Sequence, residues 1–300
     1  MTRPARFKPI DTASAQQMTA EQAIQYHYDN DTTFFSLWLD ETLCYSSARW
    51  RDPLGLTPPQ PDLASAQKAK IDHHLDAAAL PPGGRLLDVG CGWGAVLAAQ
   101  VARDPNATAI GLTLSQDQHD HIAAKGTAGV SVELRDVFAY DAGVPFQAVV
   151  SIGAFEHFAR PQMTRAQKID VYRIFFERIA AMTTPGARFS LQTIVWDNVD
   201  FDTSKALLPQ TVFPQSDIPF IEEIVAASHG TFRLAYLEND PDEYAATLAD
   251  WIKGLRAVKS HVIETWDEEK YTFFERYLRR SRFAFKQRYN SLARMVLVRR

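Results

Sequence analysis

Short apolar runs alternate with amphipathic stretches along the C-terminal part of the chain. Seven of the runs have the length and composition of β-strands and cover residues 85–89, 108–112, 130–134, 148–152, 188–195, 231–237 and 294–298. Stretches with helical spacing of apolar residues separate most of them. Apolar strands that alternate with helices are typical of parallel strands covered on both faces. The pattern therefore predicts an α/β fold with a seven-stranded, mostly parallel sheet and helices on both faces.

The part of the chain before residue 81 has no strand pattern. Thr19 and Gln22 form a capping-box pair that begins a helix, and a second helix is predicted at 64–79. A Pro-Pro-Gly-Gly sequence at 81–84 ends this part. We therefore expect three regions, which are an irregular tail at 1–18, an α-helical cap at 19–80 and the α/β domain at 81–300.

Two insertions interrupt the alternation of strands and helices. Residues 196–220 follow the fifth strand, and residues 242–286 are predicted to be helical and lie between the last two strands. One face of the second insertion is apolar and consists of Tyr244, Leu248, Trp251, Leu255, Val258 and Val262. Because ligands bind at the carboxyl ends of strands in such sheets, we expect both insertions to cover the site. Whether the apolar face lines a tunnel or belongs to the core stays open.

A glycine-rich loop, Asp88-Val89-Gly90-Cys91-Gly92-Trp93-Gly94, follows the first strand and opens a helix. Glycines let the backbone turn tightly and approach a ligand, and a helix N-terminus attracts negative charge. The spacing differs from the dinucleotide pattern G-x-G-x-x-G/A. An acid two residues before the first glycine is typical of S-adenosylmethionine sites instead. The sequence therefore predicts S-adenosylmethionine as co-substrate, contacted by Asp88, Gly90, Cys91, Gly92 and Gly94.

The ends of the following strands carry further candidates for this cofactor site. They are Thr113, Leu114, Gln118, Asp136, Val137 and Gly153. After the second strand, where an acid usually binds the ribose, this chain has hydroxyl and amide groups, which can also bind a diol. Asp136 follows the third strand, where we expect it to bind the adenine amino group.

The net charge and its distribution limit the classes of molecule that this protein is expected to bind. The formal net charge of −4 argues against a general nucleic-acid binder. Residues 276–300, however, contain nine Lys or Arg and no Asp or Glu. Such a basic segment is usually a solvated helix face, here followed by a final strand, and the alternative is peripheral contact with anionic lipid or with an acidic carrier protein.

The remaining composition indicates a cytoplasmic protein. Cys44 and Cys91 are too few for a disulfide scaffold. The sequence has no signal-peptide pattern, and no apolar run approaches the roughly 18 residues needed to span a bilayer. The histidines lack the spacing of metal ligands, so we expect no metal. We therefore expect a cytoplasmic protein that is at most peripheral to a membrane.

Several strings beyond the glycine loop resemble the cyclopropane-fatty-acid synthase family, which includes the mycolic acid cyclopropane synthases. The most specific are Tyr45-Ser46-Ser47 and the Ser-Ile-Gly-Ala-Phe-Glu-His-Phe sequence at 151–158. Other matching strings follow in order, so the resemblance covers residues 24–300. It implies a Rossmann-like class I methyltransferase fold. It also implies methylation of the double bond of an unsaturated fatty acyl chain, which gives a cyclopropane or a methyl-branched product.

The resemblance also implies a base for this reaction. Attack of the alkene on the methyl group leaves a carbocation, and in the family a bicarbonate ion in a polar cage removes a proton. The cage positions correspond to Glu156, Ile194, Tyr244, Ser47 and Gln192. Ser47 replaces a cysteine of the family and Gln192 replaces a histidine. Serine and glutamine still donate hydrogen bonds, so these positions can still hold an anion. Glutamine cannot carry the charge that histidine can, so this departure bears on the cyclopropane assignment more than on methyl transfer.

Other site residues have more than one interpretation. Tyr28, Tyr45 and Ser46 match positions that close over the methionine end of the cofactor. His157 is a second candidate base, and the alternative is a partly buried histidine with a backbone partner. Glu156 can orient bicarbonate, deprotonate a nucleophile directly, or serve only as an acid at a helix N-terminus.

Two other functions stay open from the sequence. The first is a small-molecule C- or N-methyltransferase of specialised metabolism, because the same family pattern covers enzymes that methylate amines. The second is a catalytically inactive protein that binds S-adenosylmethionine. The complete glycine loop and Glu156 argue against the second.

Overall fold

The computed structural model describes residues 32–56, 58–207 and 215–300, together with Ser14, Met18, Thr19 and Gln22. A seven-stranded sheet has the order β3-β2-β1-β4-β5-β7-β6. Its strands are β1 (Arg85–Val89), β2 (Thr108–Thr113), β3 (Val130–Leu134), β4 (Phe146–Ile152), β5 (Thr183–Trp196), β6 (Phe232–Asn239) and β7 (Asn290–Arg299). Only β7 runs antiparallel to its neighbours, β5 and β6. The seven-stranded, mostly parallel sheet is therefore confirmed.

Helices lie between the strands and before the first of them. They are α1 (Thr32–Ser36), α2 (Leu63–Ala78), α3 (Ala95–Arg103), α4 (Gln116–Lys125), α5 (Arg165–Ala181), α6 (Phe201–Leu207), α7 (Ile221–Ser228), α8 (Pro241–Ala257), α9 (Lys259–Thr265) and α10 (Glu268–Lys286). A single 3-10 turn, Phe155–His157, follows β4. The second insertion is thus helical, as predicted.

Each face of the sheet is buried under its own layer of helices. On one face, Phe175 and Phe176 of α5 pack with Phe189 of β5 in a cluster that also contains Ile224 of α7. On the other face, α2, α3 and α4 contribute the apolar side chains that cover β1, β2 and β4. Burial on both faces explains why these strands are continuous apolar runs in the sequence.

A third apolar cluster lies outside the two sheet layers. Phe35 from the N-terminal region contacts Phe274 of α10. Trp38 contacts both Phe274 and Trp251 of α8. The cluster packs the N-terminal segment against the second insertion. This places residues 34–45 and helices α8 and α10 in one unit.

The described N-terminal residues are only partly helical. The backbone N–H of Thr19 donates to Gln22 Oε1 at 2.9 Å, and the Gln22 N–H donates to Thr19 Oγ1 at 3.1 Å, so this capping box is confirmed. Helix α2 begins with an Asp62 cap on the Ser65 N–H and spans almost the predicted range. Between α1 and α2 the described chain forms turns, bends and irregular segments.

The ends of two strands differ from the prediction. β5 begins at Thr183 rather than at residue 188, and β7 begins at Asn290 rather than at 294. Ser291 is polar and lies in the part of β7 that the prediction left out, whereas Arg294 is the residue at which the predicted strand begins. In the structure both are buried, and Arg294 has hydrogen-bond partners in the interior. Only the surrounding fold supplies those partners.

Candidate active site

Two adjoining cavities lie at the carboxyl ends of the parallel strands. The glycine-loop cavity has a volume of about 340 Å³, and the Glu156 cavity has a volume of about 530 Å³. Tyr45, Ser46, Gly153 and His157 line both. Both volumes fall within the range of about 300–1,000 Å³ typical of small-molecule sites. The geometry suits two ligands that meet at the shared wall.

The loop after β1 forms one wall of the glycine-loop cavity. Gly90 has φ +75° and Gly92 has φ +53°, conformations that L side chains rarely adopt. A Cβ added at Gly90 would lie 2.5 Å from the Ala154 Cβ, so glycine is also required for packing. The N–H groups of Gly90 and Cys91 both donate to the Leu112 carbonyl oxygen, which joins the loop to β2.

Gly94 has a different role from the one that the sequence suggested. It does not line the cavity. It is the N-terminal cap of α3 with φ +83°, and a Cβ there would lie 2.9 Å from the Ile122 Cγ1 of α4. Gly94 therefore allows close packing of two helices rather than an approach to the ligand.

Asp88 and Lys70 form the polar floor of the glycine-loop cavity. Asp88 is buried, and burial raises the pKa of its carboxyl to about 7, although the nearby Lys70 ammonium opposes this shift. Lys70 Nζ donates to Ser46 Oγ at 3.0 Å. Lys70 was not identified from the sequence. Its place on α2, with Gln67 and Ile71 also buried, gave only the pattern of a helix face.

The other predicted cofactor residues surround the same cavity. Thr113, Leu114, Gln118, Asp136, Val137 and Gly153 all line it. The Thr113 hydroxyl donates to Gln118 Oε1 at 2.7 Å, which orients the amide. Asp136 is exposed at its rim and accepts a hydrogen bond from the Phe138 N–H. Tyr28 lies outside the described residues.

Glu156 lies on the 3-10 turn after β4 and lines the Glu156 cavity. Its Oε1 accepts a hydrogen bond from the backbone N–H of Ile194 at 2.6 Å. Its Oε2 is buried and has no donor at hydrogen-bond geometry within the described part of the chain, although the Thr193 side chain is near enough to lower the pKa of the carboxyl. The nearby Thr193 hydroxyl donates to the Ile194 carbonyl oxygen. Burial raises the pKa of Glu156 to about 7, partly offset by the Ile194 N–H.

His157, Tyr244 and Tyr277 line the same cavity. Burial lowers the pKa of His157 to about 4, and its Nδ1 lies 2.7 Å from the Ser216 hydroxyl. The imidazole is therefore neutral at pH 7. Tyr244 stacks on Phe285 of α10 at 4.6 Å between ring centroids. Burial raises the pKa of Tyr277 to about 12, so its phenol stays protonated.

Gln192 belongs to a buried polar network behind this cavity. Its Oε1 accepts from Arg294 Nε at 2.9 Å and lies 3.3 Å from His74 Nε2, and its Nε2 donates to the Ser47 carbonyl oxygen at 3.2 Å. One amide N–H is left for the cavity, because the group has two. Ser47 is fully buried, lines neither cavity, and donates its hydroxyl to the Ala48 carbonyl oxygen.

Arg294 is the cation of this network. Its Nη1 lies 2.9 Å from Glu238 Oε1 and its Nη2 lies 3.7 Å from Glu243 Oε2, while Arg49 also pairs with Glu238 at 3.0 Å. Arg294 is 1% exposed. Its charge is therefore balanced by carboxylates that do not line the Glu156 cavity.

The residues present do not fit a bound bicarbonate ion. The Ile194 N–H, at an expected cage position, already donates to Glu156. The Ser47 hydroxyl and most of the Gln192 amide are engaged, and Arg294 is paired elsewhere. Where Glu156 is ionised, a bicarbonate would lie beside its carboxylate without a buried cation from the residues that line the cavity, and like charges in a buried site oppose each other.

One face of α10 belongs to the site, although the sequence did not predict it. Its residues at helical spacing line the Glu156 cavity and are Phe273, Arg276, Tyr277, Arg280, Ser281 and Ala284. Arg276 and Arg280 are exposed and form no ion pair within the described residues. The sequence showed only a basic segment. The combination of arginine with tyrosine and phenylalanine at spacings of three and four was the available signal.

Within the described residues, no three His, Cys, Asp or Glu side chains are arranged to hold a metal ion. None of the helices in this part of the chain combines the length and apolarity that a bilayer crossing requires.

The parallel sheet, the glycine loop and the cavity beside it define a class I, S-adenosylmethionine-dependent methyltransferase. The chain belongs to the mycolic acid cyclopropane synthetase family, whose model matches residues 15–295. It is 30% identical to cyclopropane mycolic acid synthase 2 of Mycobacterium bovis, with 96% of this chain and 98% of that protein covered.

Solved structures agree with this assignment. The cyclopropane synthase MmaA2 of Mycobacterium tuberculosis superposes with a TM-score of 0.82 at 29% identity, covering 94% of this chain and 99% of that one. Mycolic acid cyclopropane synthase CmaA1, complexed with SAH and CTAB, superposes with a TM-score of 0.79 at 29% identity, covering 93% and 98%.

Proposed function

We propose that this enzyme transfers a methyl group from S-adenosylmethionine to the double bond of an unsaturated fatty acyl chain, giving a cyclopropane or methyl-branched product. The main support is the Glu156 cavity, which adjoins the glycine-loop cavity at Tyr45, Ser46, Gly153 and His157. Its walls are largely aromatic and aliphatic, which suits a hydrocarbon chain.

In this proposal S-adenosylmethionine occupies the glycine-loop cavity. Asp88 and Lys70 lie beside the loop, where they can bind the charged groups of the methionine portion. Gln118 can bind the ribose diol and Asp136 the adenine amino group. The methyl group would then point toward the shared wall, where Tyr45 lies.

The chemistry requires a route for the methyl group and an environment for positive charge. The alkene attacks the methyl carbon, a C–C bond forms, the S–C bond breaks, and S-adenosylhomocysteine leaves. Positive charge then lies on the other alkene carbon. The aromatic faces of Tyr45 and Tyr277 in the cavity wall can stabilise it, since a cation over an aromatic ring gains about 0.5–2 kcal/mol.

We further propose that the second insertion, residues 242–286, covers the acyl chain and that its outer end contacts a lipid surface. Phe283 of this insertion is 58% exposed, Leu207 of the first insertion is 42% exposed, and both line the Glu156 cavity. Arg276 and Arg280 lie in the same wall. Exposed apolar side chains beside unpaired arginines suit the boundary between acyl chains and anionic headgroups.

The test uses methyl-labelled S-adenosylmethionine with vesicles of monounsaturated phosphatidylglycerol in one reaction and a panel of amines and prenyl compounds in another. We expect label in the lipid. Label only in the small molecules would overturn the proposed substrate and support a small-molecule methyltransferase. If S-adenosylmethionine does not raise the melting temperature, the protein does not bind the co-substrate at all.

A further inference from the structure

The position of Glu156 raises the question of what removes the proton after methyl transfer. The 3-10 turn that carries Glu156 is held from two sides. The Asp217 N–H donates to the Glu156 carbonyl oxygen at 3.2 Å, and the Ile194 N–H donates to the side chain at 2.6 Å. The carboxyl group is therefore fixed in the wall of the cavity that we assign to the acyl chain.

No external base has a prepared place in this cavity. Three of the donors that would hold bicarbonate are engaged within the protein, namely the Ile194 N–H, the Ser47 hydroxyl and one N–H of Gln192. The cations that line the cavity within the described residues are Arg276 and Arg280, which are exposed rather than beside Glu156. By contrast, Glu156 Oε2 is buried, and among the described residues only the Thr193 side chain acts on the carboxyl besides the backbone, without reaching hydrogen-bond geometry at Oε2.

We propose that the Glu156 carboxylate is itself the proton acceptor and that the reaction does not use bicarbonate. This inference rests on the proposed function. After the methyl group has joined the alkene, the carboxylate takes a proton from that methyl group. The electron pair of the broken C–H bond forms the third C–C bond of the cyclopropane. The products are the cyclopropane, S-adenosylhomocysteine and one proton, which leaves Glu156 for solvent.

The titratable groups around Glu156 are consistent with this role. Burial keeps His157 neutral, and the phenols of Tyr277 and Tyr172 stay protonated because burial raises their pKa values. No neighbouring charge holds the carboxyl ionised, and its pKa of about 7 is set mainly by burial. A base is most effective when its pKa lies near the working pH.

The deciding experiment measures the initial rate in buffer freed of dissolved CO₂ and again after sodium bicarbonate is added. The substrate is monounsaturated phosphatidylglycerol vesicles and the label is in the methyl group of S-adenosylmethionine. We expect equal rates in the two buffers. A rate that falls without CO₂ and returns with bicarbonate would overturn the inference while leaving the proposed function intact. Absence of labelled lipid in both buffers would instead overturn the proposed substrate, and the inference with it.

Variants at Glu156 supply a second readout. Glu156→Gln should lower turnover by about 10²–10⁴-fold. The wild-type rate should rise as pH increases through about 7, as the carboxyl ionises, and the residual rate of the variant should not. Glu156→Asp, which keeps the carboxylate, should keep the rise with pH. Glu177→Gln, an exposed change on α5, is the matched control and should behave as wild type. A rate that still rises with pH in Glu156→Gln would contradict the assignment of Glu156 as the proton acceptor.

Discussion

The two cavities of this enzyme are built in different ways. The glycine-loop cavity is formed largely by short segments that directly follow β1, β2, β3 and β4, and each segment carries a local sequence pattern. The Glu156 cavity combines residues from Tyr45 to Leu292, with walls from β5, α10 and β7. The first cavity was therefore predictable from short motifs, whereas the second depends on contacts between distant segments.

The difference extends to the buried charges. Asp88 in the first cavity has Lys70 nearby, whereas Glu156 in the second has a backbone N–H and no cation. Behind the second cavity, the charges of Arg294, Arg49 and two glutamates balance one another. The wall of the Glu156 cavity thus depends on long-range ion pairs that the glycine-loop cavity does not need.

The largest expected effect is on stability. Arg294→Met should destabilise the fold by about 3–5 kcal/mol, because it leaves Glu238 and Glu243 buried without their main cation. Urea unfolding measures the change. Arg173→Met is the control, since Arg173 forms an exposed i, i+3 pair worth about 0–1 kcal/mol. Equal losses of unfolding free energy in the two variants would mean that the buried network stabilises the fold no more than an exposed ion pair does.

A second prediction concerns the glycine-loop cavity. Gly90→Ala should weaken S-adenosylmethionine binding by about 100-fold or more, because strain and the contact with Ala154 displace the loop, and about 2.7 kcal/mol corresponds to that factor. Calorimetric titration measures it. Gly143 also has positive φ, at +61°, but a Cβ there would meet nothing within 4 Å. Gly143→Ala should therefore lose stability only, and loss of binding there would indicate a general effect of strain.

A third prediction uses pH. The folded pKa of Glu156, about 7, lies above its ordinary value of 4.5, so folding favours the protonated carboxyl and stability falls as pH rises between these values. Glu156→Gln removes this cost. Between pH 5 and pH 8, the free energy of unfolding of the variant should rise by about 2–3 kcal/mol relative to that of wild type. Urea unfolding without ligand measures the change. For Glu177→Gln we expect the difference in unfolding free energy from wild type to be the same at every pH. The same result for Glu156→Gln would mean that Glu156 has an ordinary pKa.

The smallest predicted effect tests the contact with lipid. Replacing both Arg276 and Arg280 by Gln should weaken binding to phosphatidylglycerol vesicles by up to about 30-fold, at about 1 kcal/mol for each arginine. Co-sedimentation measures the affinity. The pair Arg279→Gln and Arg282→Gln changes the same charge on the same helix without touching the cavity. If both pairs weaken binding equally, the surface is generally basic rather than oriented by the cavity.

Sequence patterns predicted most of the fold and, of the two cavities in the site, mainly the glycine-loop cavity. The β1–β4 strands, their helices and the loop from Asp88 to Gly92 follow from periodicity and glycine spacing, which act over a few residues. Gly94 was assigned to the ligand although it packs on Ile122, because spacing alone does not distinguish a glycine near a ligand from one near a helix.

Only the tertiary structure decided what surrounds the residues near Glu156. The resemblance placed Ser47 and Gln192 in an anion cage, but their hydrogen bonds go to Ala48, Arg294 and the backbone. Those partners are up to 145 residues away in the sequence. Burial then sets the pKa of Glu156, and burial is a property of the packed molecule. The sequence by itself determined which groups are present and which short segments they occupy, whereas packing between distant segments determined which of them remain open to a substrate.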